Sequence, residues 1–595
     1  MAPQKPLPYD DKFTSPDEYV SELLNFVAST DVFQILCGGV HILDFFTIEP
    51  GLFHAALPRE WHPFLLSCDI MRLIDILARE DLDNFRNDGE HQMPESLLIY
   101  IKSIRRLSLN REYAPPDRTV AKPTRSVSIG MKPKKIHEVA NFADYVDRLS
   151  YEVASHDGSN VTHFVDFGSG QNYLGRALAS EPYNRHVVAV EGRENNVSAA
   201  KGFDMSSGLS VAPQVRRNKK AWDKIRKAAG PGGLKDPERL AQAIKDVVGE
   251  EGLLKDAEAK PVDFRARNDL DATYTAEDGK GFMTYISGRL ESGDLSGVIS
   301  DIEQGDLPEE KKRELRLMAV SIHSCGNLSH FAIRSLVMNP DMRAVAIVGC
   351  CYNLLTEKLG APTYKHPFLR PTLQAINGRV TRESEKNDPE GFPMSKRFSE
   401  HNGDGVRLNI TARMMACQAL QNWTAKESEG FFTRHFFRAV AQKMFLDRGV
   451  VQKIRHRTPE PGVAETPFDL STSPVIVGSL RNSCYDSLKS YVRGAVDKII
   501  NNQEVPEYAE LMREKMGSIT DEEIEEYEKI YLPRKKELSV IWTLMAFSAI
   551  VVESLIVTDR WTFLKEQQEV DQAWVEPVFD FKLSPRNLVV VGIKK

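Results

Sequence analysis

The residues of this chain that could do chemistry sit at the ends of short apolar runs. The first run lies in Val161–Leu178, VTHFVDFGSGQNYLGRAL, which reads as a strand, a glycine turn and a helix start. Asp166 ends the strand, and Gly168, Ser169 and Gly170 make the turn. Glycine reaches positive φ without steric penalty and lets a ligand approach the backbone closely. The next apolar run, His186–Glu191, also ends in an acid. A strand, a glycine turn and a helix, with an acid closing the following strand, is how a doubly wound sheet holds a nucleoside. The acid accepts hydrogen bonds from ribose hydroxyls at the carboxyl ends of the strands. The candidate binding set is therefore Asp166, Gly168, Ser169, Gly170, Gln171, Tyr173, Glu191 and Gly192.

A second group follows two more apolar runs. Leu317–His323 ends in His323-Ser-Cys325-Gly-Asn327, and Ala344–Gly349 is followed by Cys350-Cys351-Tyr352-Asn353. If both strands lie parallel to the first, their ends meet at the rim where such folds carry reactive groups. His323, Cys325, Cys350, Cys351 and Tyr352 are the candidate catalytic residues. His323 suits a general base near neutral pH, and equally a buried histidine satisfied by backbone. No metal is expected, because adjacent cysteines ligate one tetrahedral ion poorly and no C-x-x-C occurs. A covalent cysteine mechanism needs a thiolate-promoting setting that the sequence does not display. Cys37, Cys68, Cys417 and Cys484 read as small buried hydrophobes.

The surrounding elements divide the chain. Residues 1–115 form a helical region, with helical spacing in Tyr19–Val27, Phe64–Leu77 and Leu97–Leu107. Residues 116–135 are a Pro-rich basic linker, and 136–203 carry a helix near Ile136–Leu149 and the nucleoside motif. Residues 204–280, charged and interrupted by Gly and Pro, read as a partly disordered surface insertion. Residues 281–370 hold the two further strands and a helix at Leu328–Val337. Residues 371–535 are a helical insertion, with helices within Asn409–Arg448, Tyr485–Asn501 and Asp521–Lys529. Residues 536–595 hold a final helix and a terminal hairpin, PVFDFKLSPRNLVVVGIKK turning about Ser584–Asn587. Ser539–Val557 approaches the length of a membrane span, but Glu553 lies inside it and a mid-bilayer carboxylate is costly, so a buried helix is expected. Arg216, Arg217, Lys219 and Lys220 could grip phosphate or form a solvated face; Lys134, Lys135 and His137 could contact phosphate or an acidic partner, or be a solvated helix start; Arg413, Arg434, His435 and Arg438 read as intramolecular ion-pair partners or a substrate groove.

Composition narrows the function classes. With 42% hydrophobic and 27% charged residues the chain reads as globular, and 595 residues exceed one ordinary core. The balance of 77 basic and 84 acidic residues leaves no global basic footprint for nucleic acid, though a local patch can still serve. Seven scattered cysteines fit free thiols in a reducing compartment, and MAPQKPLPYDDKF has no apolar signal core. Cytoplasm is the expected compartment, with the nucleus open.

The turn resembles motif I, D-x-G-x-G, of class I methyltransferases, and lacks the third glycine of dinucleotide enzymes. The chain as a whole resembles the methyltransferase-like 25 family, whose relatives include ribosomal RNA adenine dimethylase domain-containing proteins. The resemblance rests on Leu57-Pro58-x-x-Trp61, Met131–Glu138, Asp166–Gly170, His323–Leu328, Gly349–Glu357, Gly391–Ser395 and Ser584–Asn587. Asn327 and Asn353 stand where that family carries Asp and commonly His. The strand ends also resemble those of tRNA 2′-O-methyltransferases, without their zinc-finger segments. Gly349-Cys-Cys-Tyr352 stands where amino-methylating enzymes carry Asn-Pro-Pro-Tyr, so Tyr352 could stack on a flipped base, while Cys350 lacks the polar Asn. The resemblance implies a Rossmann-like α/β fold of the class I S-adenosylmethionine-dependent methyltransferases, with a terminal β-hairpin. It implies S-adenosylmethionine as cofactor. Asp166, Gly168, Ser169 and Gly170 would line the methionine end, Glu191 would hold the ribose, and His323–Gly326 with Gly349–Tyr352 would form the catalytic pocket. The substrate expected first is RNA. A protein side chain is the alternative, and a non-catalytic cofactor-binding protein the third reading.

Overall fold

A computed structural model describes the chain except for residues 1, 80, 83–90, 159, 212–218, 234–235, 253–272, 276, 278, 305–314, 361–386, 456–457, 459–460, 463 and 503–505. Two compact units emerge, one of Val120–Ala143 and His163–Arg289, the other of Met1–Thr119, Asp144–Thr162 and Leu290–Lys595.

Among its described residues the smaller unit holds three parallel strands, β1 (His163–Phe167), β2 (His186–Glu191) and β3 (Phe282–Ser287). β2 is central, with Asp166 opposite Ala189 on one side and Glu191 opposite Ser287 on the other. Every residue of β1 is buried, as parallel strands with both faces covered require. Helices Tyr173–Leu178 and Glu194–Ser207 follow β1 and β2. Two more helices, Lys219–Ala229 and Pro237–Gly252, lie within the charged 204–280 segment. Ile225, Ala229 and Ala243 are buried there, with Trp222, Leu240, Ile244 and Val247 packed around them. Arg216 and Arg217 of its basic cluster lie outside the described residues.

The larger unit holds β4 (Leu317–Ser324), β5 (Met342–Gly349), the short β6 (Lys453–Arg455) and β7 (Leu470–Thr472), β8 (Val570–Pro577) and β9 (Leu588–Lys594). β4 and β5 run parallel, β9 is antiparallel to β5, and β8 closes the hairpin with β9. β6 and β7 pair separately. The hairpin's first strand lies earlier than PVFDFKL suggests; 578–587 form the connection, anchored by the fully buried Phe579.

Helix starts follow local chemistry. Phe64–Leu77 is two helices, because the Asp69 carboxylate caps the amides of Met71 and Arg72 and starts a new one. Asn409–Arg448 is likewise divided: Asn409 caps Ile410–Met415, and a Thr424–Glu427 capping box starts Ala425–Asp447. The helix Lys535–Lys565 runs through the core, buried almost continuously from Leu538 to Leu564. Its apolar stretch meets the length and hydropathy of a membrane span among the described residues, and 94% of that window is buried inside the protein. Two of its polar residues are tied to other segments. Tyr100 and Ser548 hydroxyls lie 2.7 Å apart, and Asp559 accepts from the amides of Met394 (2.7 Å) and Ser395 (2.9 Å).

Candidate functional site

In the smaller unit the chain reverses after β1 through Gly168 (φ 66°) and Gly170 (φ 58°), the left-handed region glycine enters freely. The amides of Gly168 and Ser169 donate to the Val190 carbonyl at 3.0 and 3.2 Å. Glu191 completes the turn: Oε2 accepts from the Gly170 amide (2.8 Å) and Oε1 from the Arg193 amide (2.9 Å). The second acid therefore fixes the first turn, and each of its oxygens keeps a lone pair. Asp166 is buried at the end of β1. Burial, and then the neighbouring Glu191, push its carboxyl up to about 8 against the opposing pull of Lys135. Lys135 is itself held by the buried Glu138 at 2.6 Å. Gly192 is exposed, and the Tyr173 hydroxyl donates to Gln171 Oε1 (2.6 Å) and lies 3.2 Å from the Gly130 carbonyl.

Beneath the turn lies a polar cluster that the motif reading did not include. Asn172 is fully buried in the left-handed conformation (φ 54°) and donates to the Tyr285 hydroxyl at 2.9 Å. Asn is the side chain after glycine that best tolerates this backbone. Arg176, fully buried, donates to the Gln171 carbonyl and to Asp204, both at 2.9 Å. Asp204 also accepts from the hydroxyls of Tyr274 (2.8 Å) and Tyr285 (2.5 Å). A Cβ at Gly175 would stand 2.1 Å from Asn172 Oδ1, so the Asn172…Gly175 spacing was the available signal.

In the larger unit the ends of β4 and β5 bring three sulfurs together. Sγ of Cys325 lies 3.3 Å from that of Cys350 and 3.1 Å from that of Cys351, and the last two are 3.4 Å apart. Consecutive strand residues point to opposite faces. Here β5 ends at Gly349, and Cys351 turns the chain (φ −96°, ψ 74°), an inverse-γ-like bend that returns its thiol to the Cys350 side. Backbone bonds lock the arrangement: Cys350 N to Ser324 O (3.3 Å) and Gly326 N to Cys351 O (3.2 Å). Gly326 is required, at φ 57° with Leu354 O only 2.5 Å from where a Cβ would stand. Hydrogen bonds from Cys325 and Cys350, then the nearby His323 and Arg586, pull the Cys351 thiol well down against its burial. Its two sulfur neighbours, then burial, drive Cys350 the other way. His323 is partly exposed at the end of β4.

Tyr352 departs from the expectation of a stacking platform. It is 2% exposed, and its hydroxyl donates to Glu553 Oε1 at 2.8 Å. The guanidinium groups of Arg560 and Arg586 stand over its ring at 5.6 and 6.0 Å. The ring is an internal packing element because three residues from the C-terminal segment surround it. Glu553 is the hub. Burial alone would raise its carboxyl, but Arg111 at 2.6 Å and the directly bonded Arg586 hold it below the ordinary range. Gly349 leaves the space that the buried Arg560 guanidinium fills.

Comparison with known proteins bears on both centres. A family described as a methyltransferase domain matches residues 134–358, which contain the glycine turn, Glu191 and the three-sulfur cluster. The chain is 24% identical over 517 residues to the human protein named "Probable methyltransferase-like protein 25", covering 78% of this chain and 75% of that protein. The mouse protein of the same name is 23% identical over 525 residues, with the same coverage. No solved structure matches. The chain carries a methyltransferase domain of the class I fold, with seven main strands among the described residues, mostly parallel and with an antiparallel hairpin last, and it is similar to methyltransferase-like protein 25.

Proposed function

We propose that this chain transfers the methyl group of S-adenosylmethionine to RNA. The carrying observation is the turn after β1, bound through its Gly170 amide to the acid that ends β2. The residues there fit the donor. Ser169 Oγ is buried without a protein partner, and a Cβ at Gly170 would project into open space. The buried Asp166 carboxyl suits a ligand end that carries positive charge. Glu191 retains the lone pairs to accept from ribose hydroxyls. The sulfonium supplies the electrophile when the donor is bound, so the protein's work is to align a nucleophile and exclude water.

RNA is favoured as acceptor by the likeness of the strand ends to tRNA 2′-O-methyltransferases. Internal packing of Tyr352 argues for an oxygen acceptor over an exocyclic base amine, because amine methylation calls for a stacking ring. His323 is the candidate base toward such a hydroxyl.

The test is transfer of labelled methyl from S-adenosylmethionine into extract of cells lacking the protein, with Asp166→Ala alongside. Label that depends on Asp166 and disappears on RNase digestion is expected. Label removed by protease moves the acceptor to a protein. Donor binding by calorimetry with no Asp166-dependent label leaves the binding-protein reading.

A further inference from the structure

We propose that Cys325, Cys350 and Cys351 form a binding site for one zinc ion, held through three thiolate sulfurs. Their sulfurs converge within one small triangle, at 3.1, 3.3 and 3.4 Å. Sulfur is the soft donor that selects thiophilic d10 ions, and three thiolates from two rigid strand ends make a preformed set. All three side chains are partly exposed, which leaves an entry path.

The sequence argues against a metal because adjacent cysteines ligate one tetrahedral ion poorly. The bend at Cys351 removes that objection, since both thiols lie on one side of the chain. The backbone beneath is fixed by the two bonds joining the loops and by Gly326 pressed against the Leu354 carbonyl. Zinc–sulfur bonds of about 2.3 Å in a tetrahedron place sulfurs roughly 3.8 Å apart, so the triangle need open only by roughly half an ångström. Small side-chain rotations provide that.

The surroundings suit an anionic sulfur set. Three thiolates on a divalent ion carry net charge −1. Arg560 is buried with Nε and Nη1 unpartnered, and its Nη1 lies against Gly349, the residue before Cys350. Arg586 contributes a second guanidinium near Cys351. Three protein ligands leave the fourth tetrahedral position open, the pattern of a zinc that takes an exchangeable ligand. This inference stands independently of the donor and acceptor proposed above.

The full chain purified under reducing, anaerobic conditions should contain about one zinc per molecule by mass spectrometry. X-ray absorption on that protein should give three sulfur neighbours at about 2.3 Å. Cys325→Ser and Cys351→Ser should each weaken zinc binding about tenfold or more, measured by chelator competition, while Cys68→Ser, a buried thiol of the helical region, should not. Absence of zinc both as purified and after zinc addition overturns the proposal. So does a wild-type spectrum with fewer than three sulfur neighbours, which needs no variant to fold.

Discussion

At the end of β1 the polar groups are backbone amides and two carboxylates, with Glu191 bonded to the turn amides of Gly170 and Arg193. At the ends of β4 and β5 they are sulfurs, backed by Glu553, Arg111, Arg586 and Arg560. The first arrangement is local: Asp166 through Glu191 supplies the turn and its tie. The second is assembled from distant places, since Arg111, Cys325, Cys350, Glu553 and Arg586 span most of the sequence. Both use a strand end followed by a positive-φ glycine, Gly170 in one and Gly326 in the other. They differ in what lies beyond that glycine, open space after Gly170 and a backbone carbonyl after Gly326. An open turn and a packed turn thus share one backbone device.

Each region rests on a buried acid, and removing its charge is the strongest way to test the contrast. Glu553→Gln leaves Arg111 and Arg586 without their counter-charge, and one-sided loss of a buried pair costs about 3–5 kcal/mol. Asp204→Asn exposes a single guanidinium, Arg176, and keeps an oxygen that can accept from Tyr274 or Tyr285. Urea unfolding should therefore show a loss toward the upper end for Glu553→Gln and about 3 kcal/mol for Asp204→Asn. Equal losses, or a larger one at Asp204, would mean that the two clusters are not distinguished by their charge count.

The glycines provide a second, smaller contrast. Gly326→Ala combines left-handed strain with a Cβ 2.5 Å from the Leu354 oxygen, a backbone atom that cannot rotate away. A loss of about 2–4 kcal/mol is expected. Gly170→Ala meets no atom within 4 Å, so only the backbone term applies, about 1 kcal/mol. Its Cβ would instead occupy the space assigned to the donor. Thermal melts should separate the two variants, and S-adenosylmethionine titration should find Gly170→Ala impaired beyond its stability loss. Unchanged donor affinity in Gly170→Ala would remove the ligand from this turn.

The same local-versus-assembled difference explains what the sequence disclosed. The glycine turn was readable because its signals are contiguous, and β2 spans the His186–Glu191 expected of it. β4 and β5 were readable as apolar runs, off by one or two residues at their ends. β3 was not, because Phe282–Ser287 follows a charged segment and most of its side chains are only partly buried. The break at Asp69 escaped because helical apolar spacing continues across a capping residue. Convergence of Cys350 with Cys351 depends on one backbone bend, which no periodicity encodes. Burial of Tyr352 by Glu553, Arg560 and Arg586 is a long-range event, and a family motif naming the tyrosine carries no record of what packs on it.

The gentlest test is pH, and it acts on the glycine turn through Asp166. Its carboxyl sits at about 8 in the fold against 3.8 as the ordinary value, chiefly through burial and then Glu191, with Lys135 opposing. Between those values the folded chain keeps a proton that the unfolded chain releases. This group's contribution to the ligand-free fold is therefore complete below 3.8 and is lost as pH rises through about 8. A donor end carrying positive charge prefers the ionised carboxylate, so binding must expel that proton. Donor affinity should then rise with pH between about 6 and 8, by up to about tenfold or 1.4 kcal/mol per unit, and level off above. Calorimetry in buffers of different ionisation enthalpy should record about one proton released per donor bound near neutral pH. Asp166→Asn should bind with a flat pH profile and no proton release. A wild-type profile equally flat would show that the cationic end of the donor does not lie against Asp166, and would leave Glu191 to hold the ligand from its ribose side alone.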